Sequence, residues 1–214
     1  PQVCEKRCKM HFGERIGVQH QMLSSAYQII KAGRYQCPDG FKEILRQYQE
    51  EDFKLDYEYR RFYFAYDQIE DISHFEEVRG LVENIYTNEY LETLLPKWNK
   101  AIMEPDAFIQ LPLQRDFYSR SVKNAKERTV IIISDALRYE VGRELFQKML
   151  DDPKCTAKLD VQLSVLPSYT RLGMAALLPH SEISMTDSFK VLIDGVPCEN
   201  LAERETILQK YCSD

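Results

Sequence analysis

Two side chains carry the chemistry this sequence offers. Asp135 ends the run TVIIISD, and Thr170 ends the run LPSYT. Each stands where an apolar, strand-like stretch gives way to a helical pattern. If the two stretches pair as parallel strands, both side chains reach the same sheet edge. Ligands gather there in open α/β folds, beyond the carboxyl ends of the strands. An ionised carboxylate is a hard oxygen ligand for a divalent cation. A hydroxyl can attack phosphorus once a metal lowers its pKa, and the start of the following helix can hold an anion. The pair suggests a metal-assisted hydrolase. Each residue also has a plainer use, because Asp135 and either Ser168 or Thr170 are favoured helix N-caps.

The elements that must position this pair are legible in the hydrophobic pattern. Val130, Ile131, Ile132 and Ile133 are continuously apolar and β-branched, the mark of a central strand covered on both faces. Leu159, Val161, Leu163 and Val165 alternate with Asp160, Gln162 and Ser164, which predicts a strand with one polar face. Between them Leu137, Val141, Leu145 and Met149 recur at four-residue spacing, and Pro153 stops the helix. The sum is a βαβ unit with a right-handed crossover. After Pro179 the pattern predicts a hairpin, Phe189–Ile193 returning through Asp194-Gly195 to Val196, and then a helix over 200–211.

Upstream the period is helical. Ile16, His20, Leu23, Tyr27 and Ile30 share a face over 14–33, with Gly33 as the stop. A turn at Cys37-Pro38-Asp39-Gly40 leads to a long helical stretch over 41–69. A second covers 72–95, ended by Pro96. Residues 97–103 carry the one tryptophan, Trp98, 104–112 read as a loop, and 113–127 as a last short helix. Phe53, Tyr57, Tyr59, Phe62, Tyr63, Phe64 and Tyr66 stand beside Arg60 and Arg61. Such a belt can stack single-stranded bases, but it wraps most of the helix, which favours burial in a bundle with tyrosine hydroxyls reaching nearby acids. The fold class expected is α/β: a helical region, 1–127, followed by the start of a parallel-sheet domain, 128–214.

Composition removes several function classes. The formal net charge of −6 divides evenly, with 18 basic and 21 acidic residues in 1–127 and 10 and 13 in 128–214. No half is basic enough to advertise nucleic-acid binding. No apolar run approaches the roughly 18–20 residues of a membrane span, and no signal pattern opens the chain. Six cysteines in 214 residues do not make a disulfide scaffold, so a cytoplasmic protein with reduced thiols is expected. Cys4-x3-Cys8 with His11 and His20 could suggest zinc, although the histidines lack the usual pair spacing. Glycine-rich phosphate loops are absent, which gives no support to a nucleotide kinase or Rossmann reading. The chain begins at Pro1 and stops soon after a helical pattern, so it reads as a piece of a longer protein.

The segments ISDALRYEVGREL and LPSYTRLGMAALLPH resemble the PglZ family of BREX-type phage-defence systems, itself similar to the alkaline phosphatase superfamily. YRRFYFAYDQIED and LVENIYTNEYL resemble the helical region that precedes the domain in the type-A branch. The resemblance implies that the sheet domain is the first part of an alkaline phosphatase-like domain. It implies Asp135 as the first metal-binding acid and Thr170 as a nucleophile that also touches metal. It places the backbone N–H of Arg171 near the substrate phosphate. Arg138 and Glu140 belong to the motif; Arg138 could bind phosphate or make a structural ion pair. The implied cofactor is a divalent metal, zinc before manganese or magnesium. The implied substrate is a phosphomonoester or phosphodiester, with nucleic acid one source of the latter. The implied partners are other defence proteins, with no membrane. Superfamily sites draw further Asp and His ligands from later strands, including an Asp-His pair. None occurs here, so the chain should be inactive alone. The competing expectation is a phosphatase fold kept as an assembly module of the defence complex.

Overall fold

In a computed structural model the structure describes residues 2–10, 13–104 and 111–211. Contacts divide the chain into two units, Pro1–Ala107 with Arg138–Ala157, and Phe108–Leu137 with Lys158–Asp214. The division differs from the 127/128 boundary expected above. Residues 108–127 fall in the second unit, and the helix after Leu137 falls in the first.

The first unit is helical. It contains α1 (Gln2–Cys8), α2 (Gly13–Lys31), α3 (Phe41–Gln47), α4 (Phe53–Tyr66), α5 (Glu76–Glu83), α6 (Glu92–Ala101) and α7 (Tyr139–Leu150). π-helical stretches, Tyr48–Asp52 and Asn84–Leu91, splice α3 to α4 and α5 to α6. The two long helical runs read from the sequence are therefore continuous, each with a widened turn. Pro96 lies inside α6 rather than ending the pattern. The π-helical stretch ends at Leu91, five residues before it.

The core joins Met22, Ala26 and Ile29 of α2 to Phe62, Ala65 and Tyr66 of α4 and to Val82 and Ile85. The buried stripe on α2 is one position away from the expected one, since Tyr27 and Ile30 are 51% and 39% exposed. Apolar residues occur around most of that helix, so the sequence pattern does not single out one face. Most of the aromatic belt on α4 is packed, although Phe64 is 70% exposed. Tyr59 stacks on Tyr86 at 3.7 Å and Phe62 on Tyr66 at 5.7 Å. Two belt hydroxyls find acids, Tyr63 on Glu83 and Tyr66 on Glu76 at 3.1 Å. Outside the belt Tyr35 meets Asp52 at 2.6 Å, while Tyr48 and Tyr86 meet Asp56 at 2.5 and 2.8 Å. α7 joins this unit through aromatic contacts, with Tyr139 5.7 Å from Tyr48 and 5.9 Å from Phe53. Its Glu140, 1% exposed, lies 3.5 Å from Arg60.

The second unit contains α8 (Thr170–Leu177), β1 (Ile183–Met185), β2 (Val191–Ile193), β3 (Val196–Pro197) and α9 (Leu201–Tyr211). The strands form one antiparallel sheet in the order β1-β2-β3. The expected hairpin is present, with Asp194 and Gly195 at φ 49° and 79°, the left-handed pair a two-residue turn requires. Its core joins Ala175, Leu178, Val191, Ile193, Cys198 and Ile207. The expected parallel strands do not form. Val130–Ile133 make no ladder, and Val130 and Ile132 are 74% and 88% exposed. A central strand exists only with neighbours on both sides, and the described residues supply none here. Leu163 pairs instead with Leu113, in a single parallel bridge. The expected helix over 113–127 is reduced to short turns at Gln114–Asp116 and Tyr118–Val122. Of the expected 104–112 loop, residues 105–110 lie outside the described residues. No described helix is long and apolar enough to cross a membrane.

Candidate functional site

The site is built on the Leu113–Leu163 bridge in the second unit. The N–H of Leu163 donates to the carbonyl of Pro112, and the N–H of Gln114 donates to the carbonyl of Leu163, both at 2.8 Å. The side chain of Gln114 then reaches two ways. Its Oε1 accepts from the N–H of Val165 at 3.1 Å. Its Nε2 donates to the carbonyl of Gly173 at 3.2 Å.

From Val165 the chain passes through Leu166 and Pro167 into Tyr169, whose extended backbone (φ −100°, ψ 123°) is the N-cap of α8. The carbonyl of Tyr169 accepts from Gly173 at 2.9 Å. No side chain caps this helix, so neither Ser168 nor Thr170 serves the capping role considered for it. The first N–H groups of α8, from Thr170 to Leu172, have no intrahelical acceptor by geometry. They give the turn its positive end.

Asp135 also caps no helix. The N-cap of α7 is Arg138, and Asp135 Oδ1 accepts from the neighbouring N–H of Ala136 at 3.0 Å. Ala136 takes a left-handed backbone at φ 55°, so the chain turns sharply just past the acid. Asp135 and Thr170 line one cavity of about 220 Å3, with Ser134, Ser164, Ser168 and Gln114 adding polar groups. Gly173, Met174 and Leu177 add the α8 wall. Both candidate residues are exposed enough to meet a ligand.

The other two candidates are placed differently. The guanidinium of Arg171 is held by Glu199 at 2.6 Å, so what that residue offers an anion is its backbone N–H. Arg138 belongs to the first unit, where its charge opposes the upward shift that burial imposes on the Tyr86 phenol. Glu140, the motif residue without assigned chemistry, is the buried partner of Arg60.

A carboxylate and a hydroxyl are the hard oxygen donors a divalent cation takes, so Asp135 and Thr170 fit such an ion in kind. They fill two positions of the four zinc prefers. Among the described residues, no three His, Cys, Asp or Glu side chains converge. Of the Cys4-Cys8-His11-His20 set, His11 lies outside the described residues. Cys8 bonds the carbonyl of Gly17 at 3.3 Å, and His20 Nδ1 meets that of Ile16 at 2.8 Å.

Sequence reasoning missed Gln114. It sits in the stretch read as a last short helix, 113–127, and its bonds are to partners 49 or more residues away in sequence. No local pattern signals it.

Residues 117–214 match the family described as BREX system PglZ alkaline phosphatase-like domain. Along its whole length the chain is 34% identical to an alkaline phosphatase-like protein PglZ of Bacillus cereus (strain H3081.97), and it covers 26% of that protein. Over 81% of its length it is 36% identical to an alkaline phosphatase-like protein BrxZ of Escherichia coli O9:H4 (strain HS), and it covers 22% of it. The chain thus spans about a quarter of the length of these curated relatives. No solved structure matches it.

Proposed function

The chain belongs to the PglZ family of BREX systems through residues 117–214, and from that premise we propose that the protein carrying it is a metal-dependent phosphoryl-ester hydrolase, with Thr170 as nucleophile and Asp135 as metal ligand. The observation that carries the reading is the shared cavity of Asp135 and Thr170 at an uncapped helix start.

Thr170 opens α8, so its hydroxyl stands beside N–H groups that lack internal acceptors. A phosphoryl oxygen brought to Arg171 and Leu172 meets two backbone donors and the positive end of the helix. Such fixed donors count most where charge grows during attack. Thr170 Oγ1 loses its proton to water and bonds to phosphorus as the ester P–O bond breaks, and the departing alkoxide takes a proton from water to leave as the alcohol. Water then attacks phosphorus, the Oγ1–P bond breaks, Oγ1 regains a proton, and phosphate, or a phosphomonoester from a diester, is released. A divalent metal, zinc before manganese or magnesium, held in part by Asp135 and Thr170, would supply the positive charge that acidifies the hydroxyl. Arg171 contributes its N–H, while its guanidinium stays with Glu199. Arg138 carries no part of this reading.

The protein acts in the cytoplasm with other proteins of its defence system, on a phosphoester that nucleic acid is one way to supply. A second reading, an assembly module without turnover, is favoured by the extent of the first unit, which contains neither Asp135 nor Thr170.

The test is hydrolysis of a chromogenic phosphodiester by the full-length protein with zinc, manganese or magnesium added, beside Thr170→Ala and Asp135→Ala. Metal-dependent turnover that Thr170→Ala abolishes while the protein stays folded is the expected result. Turnover retained in Thr170→Ala with normal metal content would remove Thr170 from the chemistry. Absence of turnover from a folded wild type with every metal would move the protein to the assembly reading.

A further inference from the structure

We infer that Gln114, which precedes the matched family domain by three residues, is a positioning residue of the hydrolase site: it fixes the first turn of α8, and with it Thr170, against the segment that leads into that turn. The inference rests on the proposed role of Thr170.

The geometry is that of a clamp. A single side chain accepts from the N–H of Val165, five residues before Thr170, and donates to the carbonyl of Gly173, three residues after it. The backbone of the same residue closes the Leu113–Leu163 bridge. Gln114 is thus tied to both flanks of the Ser168–Thr170 turn, and it lines the cavity that Asp135 and Thr170 share. A Cβ at Gly173 would stand 3.6 Å from Gln114 Nε2, an ordinary van der Waals contact, so the clamp does not depend on glycine at that position.

The amide is suited to the task because one end accepts and the other donates. Glutamate keeps the acceptor for Val165 but, when ionised, turns a carboxylate toward the carbonyl of Gly173. Protonated glutamate regains a donor. Methionine has similar length and offers neither bond. A nucleophile misplaced by about 1 Å can cost roughly a hundredfold in rate, so a positioning residue that touches no substrate can still control turnover. The start of the functional domain then lies at or before Pro112, upstream of the matched region.

The experiment uses the full-length protein, the same chromogenic phosphodiester, and the variants Gln114→Met, Gln114→Glu and Thr170→Ala. Gln114→Met should lower kcat about ten- to a hundredfold, with KM and metal content within twofold of wild type. Gln114→Glu should be equally impaired at neutral pH. Its kcat relative to wild type at the same pH should recover as acid protonates the carboxyl group. That recovery is a signature a merely structural glutamine would not give. If Gln114→Met keeps wild-type kcat while Thr170→Ala loses turnover, the positioning role is wrong and the hydrolase reading stands. A kcat loss in Gln114→Glu that does not depend on pH also overturns the clamp. A wild type without turnover overturns the hydrolase reading and this inference with it.

Discussion

In the first unit, most tyrosine hydroxyls and aromatic rings are closed upon neighbours; in the second, the two groups proposed for chemistry face a cavity. Tyr35 meets Asp52, Tyr48 and Tyr86 share Asp56, and Tyr63 meets Glu83. Burial raises the pKa of all four phenols, and the neighbouring carboxylates add to the shift. Such groups stay neutral at every physiological pH and serve as rigid struts. Asp135 and Thr170 instead face a cavity, and Asp135 follows the exposed run Val130–Ile133 in sequence. The contrast teaches that internal order and available chemistry are separate properties of a sequence. Closure in the helical region is incomplete, because Arg60 Nε, Glu140 Oε1 and the Tyr90 hydroxyl are buried without hydrogen-bond partners among the described residues. In the other region Gln114, Arg171 and Asp194 are paired while Asp135 and Thr170 face the cavity.

The sharpest way to break this comparison is Glu140→Ala. It removes the buried carboxylate 3.5 Å from Arg60, which keeps its hydrogen bond to Glu144 at 3.3 Å and is 34% exposed. The cost should therefore fall below the figure for a pair broken outright, to about 1–3 kcal/mol. Chemical denaturation followed by circular dichroism measures it. A cost below about 1 kcal/mol, the usual value of an exposed pair, would show that Glu144 alone holds Arg60.

Acid should act on the two units with opposite sign at two chosen carboxylates. The hydrogen bond from Tyr211, with help from the N–H groups of Glu182 and Ser181, holds Asp194 below the usual carboxylate range. Its folded pKa is lowered, so its contribution is complete above about pH 4 and vanishes as pH falls through the lowered value. Burial holds Asp52 above that range, against the pull of Tyr35 and Gln47. Its folded pKa is raised, so its contribution is present below the unfolded value and is lost as pH climbs through the raised one. Asp194→Asn should therefore flatten part of the acid loss of stability, and Asp52→Asn part of the loss on leaving acid. Single-site variants are needed because Arg79 lowers Glu76 within the first unit too. Melting curves across pH that shift equally for both variants would erase the distinction.

The smallest effect is expected at Ile132. Its side chain is 88% exposed, so Ile132→Thr in this 214-residue chain should change stability by no more than about 0.5 kcal/mol. A loss above 1 kcal/mol would mean that the run is packed and that the contrast between the units has been drawn too strongly.

What the sequence made legible follows the range of each interaction. The Asp194-Gly195 hairpin depends on two residues and was readable from them. The helices of the first unit depend on spacing within a few turns and were readable too, apart from the one-position slip on α2 and the proline inside α6. The slip arose because apolar residues lie around most of α2. The run at 130–133 has every local mark of a central strand, but a strand is a relation between segments, and no neighbour pairs with it among the described residues. Asp135 and Thr170 stood out because acid and hydroxyl each followed an apolar run. Gln114 did not, since its value comes from Val165 and Gly173, far along the chain. The match to the PglZ family bears out the resemblance carried by ISDALRYEVGREL and LPSYTRLGMAALLPH.

The first unit is assembled from two stretches of chain, with Phe108–Leu137 of the second unit lying between them in sequence. During synthesis the ribosome must therefore deliver Ala157 before the first unit can finish closing. Until then Arg60 waits without Glu140, and the rings of Tyr48 and Phe53 wait without Tyr139. A cut anywhere from 108 to 137 divides that unit as well as the other. Only a chain that runs at least to Ala157 holds the helical half intact, and a nascent chain halted near residue 127 would carry α4 without its α7 partners.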